Sequence, residues 1–280
     1  MSTSSSSKSS LSGLRIGVIG AGNMGQALIR GLVEKSVYPQ NICIFDIDKK
    51  KIDAIKKEAH VRIAKSSRQC VSLSDVVILA VKPQLLGEVI AEIATGVQKD
   101  ALVISIAAGV SLSSIDSFFK RPISVIRVMP NMPALVGAGM SAFSLGKHAS
   151  AKDRKIAEAI LSAFGEFVQV PEKMLDLVTA VSGSGPAYFF LLAEKMIEAA
   201  HGMGMKVDIA KKLVYQTALG SGRVMIENGE DPEVLIERVA SKGGTTEAAL
   251  KSFKRYGFGK AVQEAIKSAC KRSIQMRGNK

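Results

Sequence analysis

The chain has 280 residues, 47% of them hydrophobic, which suffices for one large domain or two ordinary ones with a sizeable core and excludes a disordered chain. The formal charge is +13, but the Lys and Arg are dispersed (KKK at 49–51, KK at 56–57 and 211–212) and no aromatic interleaves with them. That pattern argues against a nucleic-acid groove and for a solvated basic surface that attracts small anions; apolar runs such as VVILAV fall short of the roughly 20 residues a membrane span needs.

The amino end, MSTSSSSKSSLSG, is a serine tract without a signal-peptide apolar core or the repeated arginines of a transit peptide, so residues 1–12 are expected to be a disordered tail. LRIGVIG (14–20) reads as a buried strand, and NMGQALIRGLVEK follows with Met24, Leu28 and Leu32 on one helical face. NICIFD (41–46) is a second strand, and DKKKIDAIKKEAH a charged helix with Ile52 and Ile55 inward. VRIA and SDVVILAV (74–81) are strand-like, the latter apolar throughout, as a parallel strand covered on both faces is. Leu85–Ala94 reads as helix, ALVISIAAG (101–109) as strand, SLSSIDSFF as a serine-capped helix and ISVIRVMP (123–130) as strand. AGMSAFSLG is a further strand, with helix from about Ala151. This alternation predicts an α/β domain with a mostly parallel sheet over 13–171.

The periodicity changes after EFVQVPEK. From 172 to 280 the segments LLAEKMIEAAHGMG, IAKKLVYQTALGSGRVMIENG and FGKAVQEAIKSACKRSIQM carry apolar residues at three- and four-residue spacing, and no strand is expected. So much apolar stripe in a short helical half predicts pairing with a second copy. Cys43, Cys70 and Cys270 are odd in number and form no CxxC, and His60, His148 and His201 stand alone. Neither a disulfide framework nor a metal site is expected, and a reducing cytoplasm fits.

Gly20-x-Gly22-x-x-Gly25 sits between a strand and a helix. Gly20 permits a tight turn, Gly22 lets backbone approach a diphosphate, and Gly25 permits close helix–strand contact. With Asn23 and Met24 these residues form a dinucleotide-binding turn whose helix N-terminus offers free N–H groups. Asp46 ends the second strand about 20 residues further on, where an acid accepts both ribose hydroxyls and favours NAD(H). Lys49, Lys50 and Lys51 pull the other way by offering charge to a 2′-phosphate, so NADP(H) and NAD(H) both stay open. The turns Ala80-Val81-Lys82-Pro83 and Ala107-Ala108-Gly109 fall at the carboxyl ends of later strands, where open α/β sheets bind ligands.

Two segments of the helical half are unusual. Ser182-Gly-Ser-Gly-Pro-Ala-Tyr188 places Pro at a helix start. Ser241-Lys-Gly243-Gly244-Thr245-Thr246 feeds another helix, and its amides and two hydroxyls make an anion pocket sized for one carboxylate. The alternative is a plain N-cap by Thr245 or Thr246, which needs one hydroxyl and no paired glycines.

VSGSGPAY, VASKGGTTEAAL, IGAGNMGQAL, AVKPQ and RVMPNMPALVGAGMSA resemble the Δ1-pyrroline-5-carboxylate reductase family over nearly the whole chain from about residue 13. The resemblance implies an amino-terminal Rossmann domain, a carboxy-terminal helical dimerisation domain of the 6-phosphogluconate dehydrogenase type, and NAD(P)H as hydride donor. It implies pyrroline-5-carboxylate as substrate, proline as product, and homodimers that assemble into a decamer, without nucleic acid, membrane or metal. It also makes Thr246 the residue that bonds the ring nitrogen, and Gly244 and Thr245 the carriers of the amides that take the carboxylate. Asp46 stands where many NADPH-preferring members carry small polar residues, and Gly25 where some have Ala. On this reading the two glycine loops face each other across a hydride-transfer site. A 3-hydroxyacid or 6-phosphogluconate dehydrogenase would need a catalytic lysine early in the first helix after the boundary, but Lys195 lies more than two turns beyond Gly185. A non-catalytic nucleotide sensor would need no second glycine loop.

Overall fold

The computed structural model describes residue 11, residues 13–35 and residues 37–278, so the serine tract lies outside the described residues apart from Leu11. The chain divides into two compact units, 1–184 with 269–280, and 185–268.

The first unit is built on eight strands among the described residues: β1 (Ile16–Ile19), β2 (Ile42–Phe45), β3 (Arg62–Ile63), β4 (Val76–Leu79), β5 (Leu102–Ser105), β6 (Ser124–Met129), β7 (Gly139–Leu145) and β8 (Gly165–Gln169). They form one sheet in the order β3-β2-β1-β4-β5-β6-β7-β8. Every join is parallel except β6–β7, where Ile126 faces Leu145 in an antiparallel pair. The helices alternate with the strands: α1 (Asn23–Glu34), α2 (Lys49–Ala59), α3 (Ser67–Ser72), α4 (Leu86–Ile93), α5 (Leu112–Ser117) and α6 (Ala151–Leu161).

The apolar strands are explained by two cores. In β4, Val76 and Ile78 join a cluster with Leu28, Ile29, Leu32, Ile55 and Ile160 from α1, α2 and α6. Val77 and Leu79 point the opposite way, into a cluster with Val71, Leu86, Ile90 and Ile115 from α3, α4 and α5. The two-residue strand period thus fills both faces of the sheet. At about 1.5–3 kcal/mol for each buried Ile, Leu or Val, these two layers are the main stabilising term. Ser111 caps α5 by accepting from the Ser114 N–H, and Ser150 makes a full capping box with Asp153 at the start of α6.

Two elements of this unit escape the periodicity reading. The helix α3, SRQCVS, is short and polar, and β8, GEFVQ, is a largely exposed edge strand without an apolar run. After β8 the chain makes a short helix α7 (Leu175–Val178), then a π-helical turn over Thr179–Gly183, and enters α8 (Gly185–Gly202). The compact units part at Gly185, thirteen residues beyond the change of period, because residues 172–184 pack with the sheet: Asn131 Nδ2 donates to the Ser182 carbonyl at 3.1 Å, and Arg127 Nη1 of β6 to Glu172 Oε1 at 3.0 Å.

The second unit contains α8, α9 (Val207–Asn228), α10 (Pro232–Val239), α11 (Thr245–Arg255) and the first part of α12 (Phe258–Gly278), whose last residues, from Ala269, belong to the first unit. The helix stretch Glu172–Gly202 is long and apolar enough, by length and composition, to cross a bilayer, with 22% of its apolar window buried. The separate apolar runs concealed this, because Gly and Ser at 182–185 interrupt them.

Candidate active site

The turn after β1 has the backbone that its glycines allow. Gly20 adopts φ +108°, and a Cβ there would lie 2.5 Å from the Ala80 carbonyl oxygen. At Gly25 a Cβ would lie 2.2 Å from the oxygen of Gly20, so α1 can approach the turn only without a side chain. Gly22 is the opposite case: a Cβ would meet nothing within 4 Å. Open space at the N-cap of α1 is what an incoming diphosphate requires. No side chain caps α1 and no acid stands in its first turn, so its amides and partial positive charge stay available. Asn23 is exposed there, and Met24 packs partly into the core.

Three further turns line the same edge of the sheet. Gly20 N–H donates to the Phe45 carbonyl at 2.8 Å, Ala80 N–H to that of Ile19 at 2.8 Å, and Ile106 N–H to that of Leu79 at 3.1 Å. The segments beginning at Asp46, Ala80 and Ala107 are therefore set side by side with the glycine turn. Lys82 is exposed at the N-cap of a 3-10 turn that starts with Pro83, and Val81 lies beside Gly20. Ala107 is buried, Ala108 half-buried, and Gly109 turns the chain at φ +69°.

Asp46 does more than the sequence indicates. Its carboxylate accepts from the Ala21 N–H at 2.6 Å and from the Asp48 N–H at 2.8 Å. It ties the glycine turn to the start of α2, with lone pairs left for a ribose. Asp48 caps α2 and pairs with Lys51 at 3.4 Å, while Lys49 and Lys50 are exposed.

The 241–246 turn belongs to the second unit. Gly243 is in the left-handed region at φ +73°, and Gly244 is the N-cap of α11 in an extended conformation with no side-chain cap bond. The simple cap is thereby excluded: Thr245 and Thr246 are the first two helical residues, and their hydroxyls close no cap. The Gly244 N–H donates to the Ser241 carbonyl at 2.9 Å and the Gly243 N–H to Glu247 Oε2 at 2.5 Å. Helix geometry leaves the N–H groups of Thr245, Thr246 and Glu247 without intrahelical acceptors. The amides without an internal acceptor therefore start at Thr245, one residue later than the paired glycines suggest. Glu247, held below the usual carboxylate range by Lys251 and then by the Gly243 N–H, stays ionised and fixes the turn.

Sequence reasoning did not identify the 172–176 stretch. Glu172 Oε1 accepts from the Leu112 N–H at 2.8 Å and pairs with the buried Arg127 at 3.0 Å; Asp176, 2% exposed, accepts from Ser273 Oγ at 2.8 Å and pairs with Arg277 at 3.0 Å. Among the described residues no group of three or more His, Cys, Asp or Glu is placed to hold a metal, and all three cysteines are free.

A doubly wound sheet with this glycine turn, joined to a helical unit bearing an anion-ready turn, defines a nucleotide-dependent oxidoreductase with a helical dimerisation domain. Family models agree: one described as pyrroline-5-carboxylate reductase dimerisation matches residues 172–276, and one described as NADP oxidoreductase, coenzyme F420-dependent, matches residues 15–109. Pyrroline-5-carboxylate reductases from Synechocystis sp. and Pseudomonas aeruginosa are each 39% identical, over 94% of this chain and 98% and 96% of their own. A pyrroline-5-carboxylate reductase structure from Coxiella burnetii superposes with a TM-score of 0.89 at 32% identity, over 94% of this chain and 98% of that one. The Plasmodium falciparum pyrroline carboxylate reductase, solved with NADP bound, gives 0.85 at 28% identity over 95% and 98%. The chain belongs to the pyrroline-5-carboxylate reductase family.

Proposed function

We propose that the protein reduces L-1-pyrroline-5-carboxylate to L-proline with NAD(P)H, the last step of proline biosynthesis. The observation that carries the coenzyme half is the glycine turn, where Gly22 leaves a cradle that any side chain would fill, at the uncapped N-terminus of α1. NAD(P)H, when bound, supplies the hydride. Gly20, Gly22, Asn23, Met24 and Gly25 hold its diphosphate, Asp46 faces the adenosine ribose, and Ala80–Pro83 and Ala107–Gly109 flank the nicotinamide half.

In the substrate half, the free amides at the start of α11 and the hydroxyls of Ser241 and Thr245 take the carboxylate, supported by the Gly243–Gly244 backbone. Thr246 donates to or accepts from the ring nitrogen and orients it. A threonine hydroxyl is too weak an acid to protonate the imine, so the nitrogen's proton arrives with the cationic iminium or through water. The chain's contribution is then placement of the C=N carbon, a term that can reach about 7–11 kcal/mol when reactants are held in line. The active form is a homodimer assembling into a decamer in the cytoplasm, with no membrane or nucleic-acid partner. The test is the loss of reduced-nicotinamide absorbance when pyrroline-5-carboxylate is added with NADH or with NADPH. Proline formation with at least one coenzyme is expected; no turnover with either would sink the proposal.

A further inference from the structure

The turn that leaves β5 is held from both sides by one short stretch of chain. Its far end is fixed where the Leu112 N–H donates to Glu172 Oε1 at 2.8 Å. The same oxygen accepts from Arg127 Nη1 at 3.0 Å, and the Arg127 side chain is 3% exposed, so Glu172 cannot swing away without stranding a buried cation. The middle of the turn is backed by the last turn of α12. A Cβ on Gly109 would lie 3.5 Å from Met276 Cβ and 3.9 Å from the Arg277 nitrogen, which is packing distance. That helix end is in turn anchored four residues from Glu172. Buried Asp176 accepts from Ser273 Oγ at 2.8 Å and pairs with Arg277 Nη1 at 3.0 Å, and Ser273 and Arg277, four apart, share one face of α12.

We propose that Ser273 and Arg277 are positioning residues for coenzyme binding: through Asp176 they seat the end of α12 against Gly109, while Glu172 holds Leu112, and together they fix the Ala107–Leu112 turn. This rests on reading Ala107–Gly109 as part of the coenzyme site. The turn needs such support because it leaves the sheet through a left-handed glycine, which has more backbone freedom than any other residue. A binding turn that must be ordered by its ligand costs affinity; one ordered beforehand does not. The carboxyl-terminal helix, whose first part lies in the other compact unit, thereby has a role in nucleotide affinity that no motif marks.

The test uses the full-length enzyme and direct titration of NADPH, alongside KM for pyrroline-5-carboxylate and a melting curve. Arg277→Met is expected to raise the NADPH Kd about tenfold, as losing a charge-assisted bond would, with the pyrroline KM within about twofold of the parent value. Arg277→Lys keeps the cation beside Asp176 and is expected to restore most of the affinity. Should Arg277→Met not fold, Ser273→Ala, which keeps the ion pair, is read the same way with a smaller rise. Unchanged NADPH affinity in a folded variant, or an equal loss for both ligands, overturns the proposal. Gly22→Val separates the two levels of the argument. If it leaves NADPH affinity intact, the coenzyme site itself is misplaced and the proposal falls with it; if it abolishes binding while Arg277→Met does not weaken it, the positioning role alone is wrong.

Discussion

The two compact units solve the burial problem differently. The sheet unit completes its own interior: Ile16, Val18, Ile78, Leu79, Ile104 and Phe143 are all within 1% of full burial. In the helical unit, Ala210 and Val214 are the buried hydrophobic residues recorded between 185 and 268, while Phe189, Leu191, Leu219 and Ile226 are 64, 56, 59 and 84% exposed. Long helices with apolar faces open to water are half of an interface rather than a finished core. The family's dimerisation model covers this region, so the unit that holds the 241–246 turn owes its stability to a second copy.

Mutations can break that contrast at either end. The largest effect is expected at Gly20→Ala, which forces a side chain into a left-handed backbone and against the Ala80 carbonyl. A loss of about 2–5 kcal/mol in stability and of coenzyme binding should appear in denaturant melts and NADPH titration, at any protein concentration. Leu191→Glu should act the other way. It should weaken self-association by about 2 kcal/mol or more, seen by sedimentation, and make melting strongly concentration-dependent while coenzyme affinity persists. If Leu191→Glu stays fully associated, that face of α8 is not the interface. The smallest effect belongs to the Arg15–Asp75 pair at the surface of the sheet unit. The Arg15 side-chain bond first, and its backbone N–H after, hold Asp75 below the usual carboxylate range. A carboxyl depressed in the folded state contributes stability that is complete above its ordinary value near 4 and fades as pH falls through the lowered one. With a third to nearly half of each side chain exposed, Asp75→Asn should cost under about 1 kcal/mol at neutral pH, and the difference from the parent should vanish in acid melts.

What the sequence made legible follows from range. The strands β1, β2, β4 and β5 and the glycine turn announce themselves because their signals are local: apolar runs, period-2 burial, and Gly spacing at a strand–helix junction. The antiparallel β6–β7 join could not be read, since a strand's composition does not state its direction. β8 was missed because an edge strand such as GEFVQ needs no apolar run, and the π-helical turn at 179–183 because nothing local distinguishes it from α-helix. Asp46 is legible in the sequence as an acid just after the second strand, but its bonds to Ala21 and Asp48, which tie the glycine turn to the start of α2, are not. The Asp176–Ser273 bond spans 97 residues and leaves no pattern in either segment.

In the proposed reaction the threonine-bearing turn at the start of α11 orients the imine for hydride transfer. Steady-state turnover of pyrroline-5-carboxylate at saturating coenzyme, compared across the parent, Thr246→Ser and Thr246→Ala, tests it most directly. Thr246→Ser should stay within a few-fold of the parent, and Thr246→Ala should fall by up to about a hundredfold with an unchanged melting curve. Equal kcat in all three proteins would contradict it.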